Sequence, residues 1–338
     1  MIIYIDKAHI RHKKVLLRVD FNVSMKGNKI TDDERIRQTL PTIRKLLRDN
    51  NKPIIISHLG RPKGWDEKYM LRPIARRLSE YLKNVKLTVV DDFTTEGALK
   101  LFDEQKEGEI LFLENIRFFK EEEEADHKFA KKLADLADVY VNDAFGVSHR
   151  KCASITEVPK LLPHYGGLLL EREVETIGHA LKHPSHPFSA IIGGAKVSTK
   201  LKLLFRLTEI ADYLILGGGL ANTLLFALGY NVGRSLCERE MVDDVKKIVR
   251  HAKEKDTKIL IPHDVLVGSR EGDNSVVKKI SEIEVNDEIL DIGPETQALY
   301  AKAILASKTL IWNGPVGYIE NPEYARGTDF LYYTISQN

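Results

Sequence analysis

Residues 54–66 read IIISHLGRPKGWD. Three β-branched residues after Pro53, too short a run for a helix and bounded by turn formers, predict a strand covered on both faces. The chemistry then changes within one residue: Ser57, His58, Gly60, Arg61, Pro62 and Lys63 fall in the loop beyond the strand's carboxyl end. In open α/β sheets that rim is where ligands bind, because polar side chains converge there above a rigid array of strands. Alone, the loop reads as a capped turn with Arg61 in water. The reading changes if other strands end the same way.

Three others in the first half do: VLLRVDFN (15–22), ILFLENIRF (110–118) and VYVNDAFGVSHR (139–150). Between the runs lie amphipathic stretches such as RIRQTLPTIRKLLRD and LRPIARRLSEYLK, with Leu and Ile recurring three and four apart. Strand and helix alternating at this rhythm predict a parallel sheet with crossover helices. The second half repeats the rhythm with FSAIIGGAKVS (188–198), YLILGGGLAN (213–222), KILIPHD (258–264) and TLIWNGPVG (309–317), its strand ends carrying glycine where the first half carries arginine. Residues 264–292 break the pattern and predict a small antiparallel excursion before a helix opening at Pro294.

Eight strand–helix units also suit one closed α/β barrel. The different polar chemistry of the two halves, and the segment PHYGGLLLEREVETIGHALKHPSHPF between them, favour two Rossmann-like parallel-sheet domains. The expected boundaries are 1–166, an interdomain hinge helix at 167–182 entered through Gly166-Gly167, and 183–338. The acidic run Glu121–Glu124 reads as the solvated first turn of a helix EEEEADHKFAKKLADLAD, favoured by the helix dipole.

The 338 residues carry 51 Lys and Arg against 49 Asp and Glu, a formal charge of +2, so no overall basic field suits nucleic acid and any anion site is local. The two cysteines, Cys152 and Cys237, have no metal-ligand or disulfide-framework spacing, which fits a reducing cytoplasm. Charges at Asp6 and Lys7 interrupt the N-terminus before a signal-peptide core forms, and no apolar run approaches a membrane span.

The first-half strand ends supply Asp20, Asn22, His58, Arg61, Arg117 and Arg150, with Arg35 at the head of the first long helix. Guanidiniums converging on one rim repel one another unless an anion sits among them, and the planar fork of arginine suits phosphate and carboxylate. A small, multiply anionic ligand is implied. The second half offers GGAKVSTK and GGGLAN, where glycines at a strand-to-helix turn bring backbone N–H groups to phosphate oxygens. A helix beginning near Lys196 would set Lys196 and Lys200 on one face. Neither G-x-x-x-x-G-K-[ST] nor G-x-G-x-x-G occurs, so the glycines are a weak signal alone and a stronger one as the second of two anion sites.

In this order and spacing, RVDFNV, SHLGRP, LENIRF, NDAFGVSHR, GGAKVSTK, LGGGLAN, DIGPET and WNGPVG resemble the phosphoglycerate kinase family, from about residue 13 to the end of the chain. The resemblance implies phosphoryl transfer between 1,3-bisphosphoglycerate and Mg-ADP, giving 3-phosphoglycerate and Mg-ATP. It assigns substrate to Asp20, Asn22, Arg35, His58, Arg61, Arg117 and Arg150, and nucleotide to Gly194, Lys196, Lys200, Gly218, Asn313 and Glu320. Arg35, Lys196, Lys200 and the nucleotide's Mg²⁺ would stabilise the transferring group, with no metal held by the protein alone. A monomer acting by hinge closure is expected. Cys152 stands where the family commonly has histidine, and Ser24 where proline is common. The chain also stops at FLYYTISQN without the family's later G-G-G-D-T loop, which raises the alternative of a truncated, non-catalytic homologue that binds 3-phosphoglycerate or nucleotide.

Overall fold

The computed structural model describes every residue except Met1 and Asp273 and divides into two compact units, one running to Ile177 and the other from Gly178. In the first, strands β1 (Lys14–Arg18), β4 (Lys52–Ile56), β5 (Leu87–Val90), β6 (Ile110–Leu113), β7 (Val139–Asn142) and β8 (His164–Gly166) form one sheet in the order β5-β6-β4-β1-β7-β8. Every pairing in it is parallel. A two-stranded ribbon, β2 (Ser24–Lys26) and β3 (Lys29–Asp32), follows β1.

Alternate residues of each strand serve opposite faces, which is why the strand sequences are apolar throughout. Val15, Leu17, Ile55, Phe112 and Val141 pack with Ile36 and Ile43 of helix Glu34–Arg48 and with Ile74 and Leu78 of helix Arg72–Tyr81. Leu16, Ile54, Ile56, Leu111 and Tyr140 pack on the other face with Phe129 and Leu133 of helix His127–Ala134. The sheet is open, with β5 and β8 at its edges, so it is no barrel. Because the strands are parallel, the loops at 18–22, 57–61, 114–117 and 143–150 all leave from the same edge.

The second unit has a parallel sheet of β9 (Phe188–Ile192), β10 (Tyr213–Leu216), β11 (Lys258–Leu260) and β15 (Thr309–Asn313), ordered β11-β10-β9-β15. Phe188, Ala190, Ile192, Leu214 and Leu216 face one apolar cluster; Ile191 and Ile215 face another with Tyr300 and Leu331. The excursion is an antiparallel sheet of β12 (Asp264–Val267), β13 (Val276–Lys279) and β14 (Ile289–Ile292), and the next helix runs Pro294–Ala306. The division between the units falls within helix Leu168–Lys182.

Two local expectations are corrected. The acidic run does not open one long helix: a short turn Lys120–Glu123 is followed by Ala125, whose φ is +54°, and a new helix starts at His127, where Asp126 accepts from the Phe129 N–H at 2.7 Å. Nor is the run wholly solvated, since Glu122 is 1% exposed. Likewise the helix after β9 begins at Leu201, not near Lys196. Lys196 and Lys200 therefore lie in the turn before it and share no helix face.

Candidate active site

The rim of the first unit is braced by its own backbone groups. Ser57 Oγ accepts from the Phe21 N–H at 2.9 Å and donates to the Val19 carbonyl at 3.1 Å, tying the β4 loop to the β1 loop. Asn22 Oδ1 accepts from the Gly60 N–H at 2.8 Å, and Arg117 Nη1 donates to the Gly60 carbonyl at 2.7 Å. Asn115 completes the brace by donating to the carbonyls of Leu59 and Tyr69 at 2.8 and 2.9 Å. Only glycine fits position 60: its φ is +60°, and a Cβ there would lie 2.3 Å from the Tyr69 ring.

Upon this frame Arg35 donates to Asp20 from the first turn of its helix. Arg61 is exposed and has no hydrogen-bond or ion-pair partner among the described residues. Arg150 is half-buried, and its Nε is a buried donor with no acceptor. Arg117 has Glu123 at 3.4 Å, and burial lowers its pKa. Asp20, Asn22, Arg35 and Arg117 are thus joined to the rim by bonds, whereas Arg61 and Arg150 are not.

His58 is 1% exposed, and burial with the charges of Arg18, Arg117, Arg150 and Arg35 pushes its pKa down to about 2. At neutral pH it offers a hydrogen bond, not a charge. One residue of this cluster escaped the sequence reading. Arg18, the last residue of β1, is only 2% exposed, and its Nη2 lies 3.3 Å from His58 Nδ1. The signal was available: a guanidinium inside the apolar run VLLRV requires a buried partner.

In the second unit the loops after β9, β10 and β15 meet backbone to backbone. A Cβ on Gly193 would lie 1.9 Å from the Pro315 carbonyl oxygen, and one on Gly219 2.3 Å from that of Ala195. The glycines permit this approach, and beside it lies a cavity of about 300 Å³ whose lining includes Gly194, Gly218, Pro262, Leu290, Pro315 and Glu320. Helix Gly218–Ala227 starts at this wall; in its first turn the Gly218 N–H donates to the Val316 carbonyl at 2.9 Å and the Leu220 N–H to that of Gly194 at 3.3 Å, so the helix start ties the loops together and offers an anion chiefly its dipole.

Lys200 Nζ donates to the Gly193 carbonyl at 2.7 Å and to the Asn313 side chain, and burial lowers its pKa. Lys196 is exposed. A second residue not anticipated from sequence, Glu238, fixes the turn bearing both lysines: its carboxylate accepts from the Ser198 N–H at 2.9 Å and the Ser198 hydroxyl at 2.6 Å. No group of three His, Cys, Asp or Glu side chains is arranged to hold a metal among the described residues. No helix among them is long and apolar enough to cross a membrane.

Comparison with known proteins gives a consistent result. The phosphoglycerate kinase family model matches residues 5–338. The chain is 44% identical over 331 residues to a phosphoglycerate kinase of Pelotomaculum thermopropionicum, covering 97% of this chain and 84% of that protein. It is 46% identical over 332 residues to one of Dictyoglomus turgidum, covering 97% and 83%. The solved phosphoglycerate kinase of Coxiella burnetii superposes with a TM-score of 0.79 at 38% identity, covering 100% of this chain and 86% of that one. That of Pyrococcus horikoshii gives 0.80 at 32%, covering 98% and 85%. The chain belongs to the phosphoglycerate kinase family of phosphotransferase enzymes.

Proposed function

We propose that the chain transfers a phosphoryl group between 1,3-bisphosphoglycerate and Mg-ADP, yielding 3-phosphoglycerate and Mg-ATP. The observation that carries this reading is the pair Arg61 and Arg150, two guanidiniums without an acceptor among the described residues, beside the neutral His58 and the bonded Arg35 and Arg117. Such a rim suits a ligand with a phosphate at one end and a carboxyl group at the other. Asp20 and Asn22 then orient the arginines and the loop, and suit a substrate hydroxyl.

Nucleotide is assigned to the glycine-walled cavity, with Gly194, Gly218 and Glu320 on its lining and Lys196, Lys200 and Asn313 at its phosphate end. Phosphoryl transfer leaves little covalent work to the protein, so positioning and charge neutralisation dominate, and Arg35, Lys196 and Lys200 are the groups placed to supply them. Mg²⁺ would enter as part of the nucleotide substrate, where it would offset phosphate charge. We assign substrate to 1–166 and nucleotide to 183–338; transfer requires the two ligands to be brought together, with 167–182 as the joint. The free thiols Cys152 and Cys237 support a cytoplasmic protein, and a monomer suffices because one chain carries both residue sets.

The test is a coupled assay of ATP formation from 1,3-bisphosphoglycerate and Mg-ADP, beside calorimetric titration of each ligand. Binding of 3-phosphoglycerate and ADP with turnover is the expected result. Absence of 3-phosphoglycerate binding by a folded protein would overturn the assignment of the rim.

A further inference from the structure

Glu122, from the acidic run, is buried and accepts from Ser154 twice: from its N–H at 2.8 Å and from its hydroxyl at 2.5 Å. Having given its only hydroxyl proton to Glu122, Ser154 Oγ has lone pairs left, and Arg18 Nε donates to it at 2.9 Å. Arg18 Nη1 is taken by the Val19 carbonyl, and Nη2 faces His58 Nδ1 at 3.3 Å. A guanidinium only donates, so Nδ1 must present a lone pair and the ring proton sits on Nε2.

From this chain of donors we propose that Glu122 and Ser154 are positioning residues for substrate binding: acting through Arg18, they fix His58 as the neutral tautomer with its proton on Nε2. The idea rests on the substrate reading of the rim given above. Glu122 supplies the negative charge that a guanidinium 2% exposed needs, and Ser154 sets its orientation. The charged groups facing His58 are Arg18, Asp20, with Oδ1 at 4.0 Å from Nδ1, and further off Arg117, Arg150 and Arg35. The excess of positive charge keeps the ring from gaining a second proton. Nε2 has no protein partner among the described residues, so its N–H is available to an anionic oxygen. In the other tautomer a lone pair would point there and repel the ligand.

The experiment uses the full chain with ¹⁵N-labelled histidine and reads the His58 ring nitrogens by NMR between pH 6 and 8. The expected result is a neutral ring protonated at Nε2 throughout; a proton on Nδ1, or an imidazolium, in the wild type would overturn the proposal. In Ser154→Ala and Glu122→Gln the ring should stay neutral but become a mixture of the Nδ1 and Nε2 tautomers. Affinity for 3-phosphoglycerate should fall about fivefold, the equivalent of one hydrogen bond, with ADP affinity unchanged. Wild-type tautomer and wild-type affinity in both variants would overturn it. Should Ser154→Ala not fold, the near-isosteric Glu122→Gln carries the same test. A wild type that binds no 3-phosphoglycerate would sink the substrate reading, and with it the role in substrate binding, while the NMR arm still decides whether the relay sets the tautomer.

Discussion

Arg35 and Asp20 form an ion pair that holds an exposed guanidinium over the end of β1. An anion entering the rim must compete with Asp20 for Arg35, whereas Arg61 is free to meet it. The unpaired arginine therefore contributes its contact without first losing one.

Arg61→Ala should weaken 3-phosphoglycerate binding about ten- to a hundredfold, since a charge-assisted contact is worth about 1.5–3 kcal/mol. ADP binding should be nearly untouched, because the two ligands are assigned to different units. Calorimetric titration of each ligand decides; equal losses for both would sink the two-site assignment.

Lys200 differs from Lys196 in being tethered. Its ammonium is held at the Gly193 carbonyl and Asn313, where burial favours the neutral amine, so a nearby phosphate would restore its preference for the charged form. If that charge is matched only as the phosphoryl group moves, Lys200→Ala should lower kcat far more than it raises either KM. A variant with near-normal kcat and a raised KM for ADP would make Lys200 a ground-state nucleotide contact.

The parts of the fold readable from sequence are those governed by period and punctuation. The run Ile54–Ile56 is apolar because it serves two faces, and the break at Ser57 is abrupt because the sheet ends there. What escaped depends on side chains far apart in sequence. Glu122 reads as one of four equivalent glutamates until Ser154, 32 residues away, selects it for burial. Arg18 passes unremarked within the β1 run, and only the fold sets Ser154 and His58 beside it. The late start of helix Leu201–Thr208 is likewise nonlocal, because Glu238 holds Ser198 in the preceding turn.

Asp264 makes a stability prediction. Its carboxylate accepts from the Thr296 N–H at 2.7 Å and the Glu295 N–H at 3.0 Å, and so caps helix Pro294–Ala306 from outside the helix. Pro294 at the first position has no N–H to satisfy, so the next two are the ones that matter. Asp264→Ala removes both acceptors, and a lost cap together with an unsatisfied buried donor costs about 2–4 kcal/mol. Faster amide exchange across the first turn of this helix, with a lowered urea midpoint for the second unit, is expected; unchanged exchange there would show that water replaces the cap.

Asp291 makes the pH prediction. It accepts from the Gly327 N–H at 2.7 Å and the Ile292 N–H at 2.8 Å, yet burial outweighs these bonds and, with Asp329 nearby, raises its pKa to about 7. The unfolded chain releases that proton near pH 3.9. Between about pH 4 and 7 the folded protein therefore binds more protons than the unfolded one, and stability falls as pH rises through this window, levelling off above it. The effect is on the order of a few kcal/mol. Asp143 in the first unit, raised by burial to about 6, acts with the same sign, so the measurement must report the second unit alone. A Trp65→Phe background leaves Trp312 as the only tryptophan, and its fluorescence follows urea unfolding of that unit at pH 5 and pH 8. The midpoint should be lower at pH 8, and Asp291→Asn, which cannot titrate, should reduce the difference. An equal difference in the two proteins would show that Asp291 is already ionised at pH 5, its two N–H donors outweighing burial.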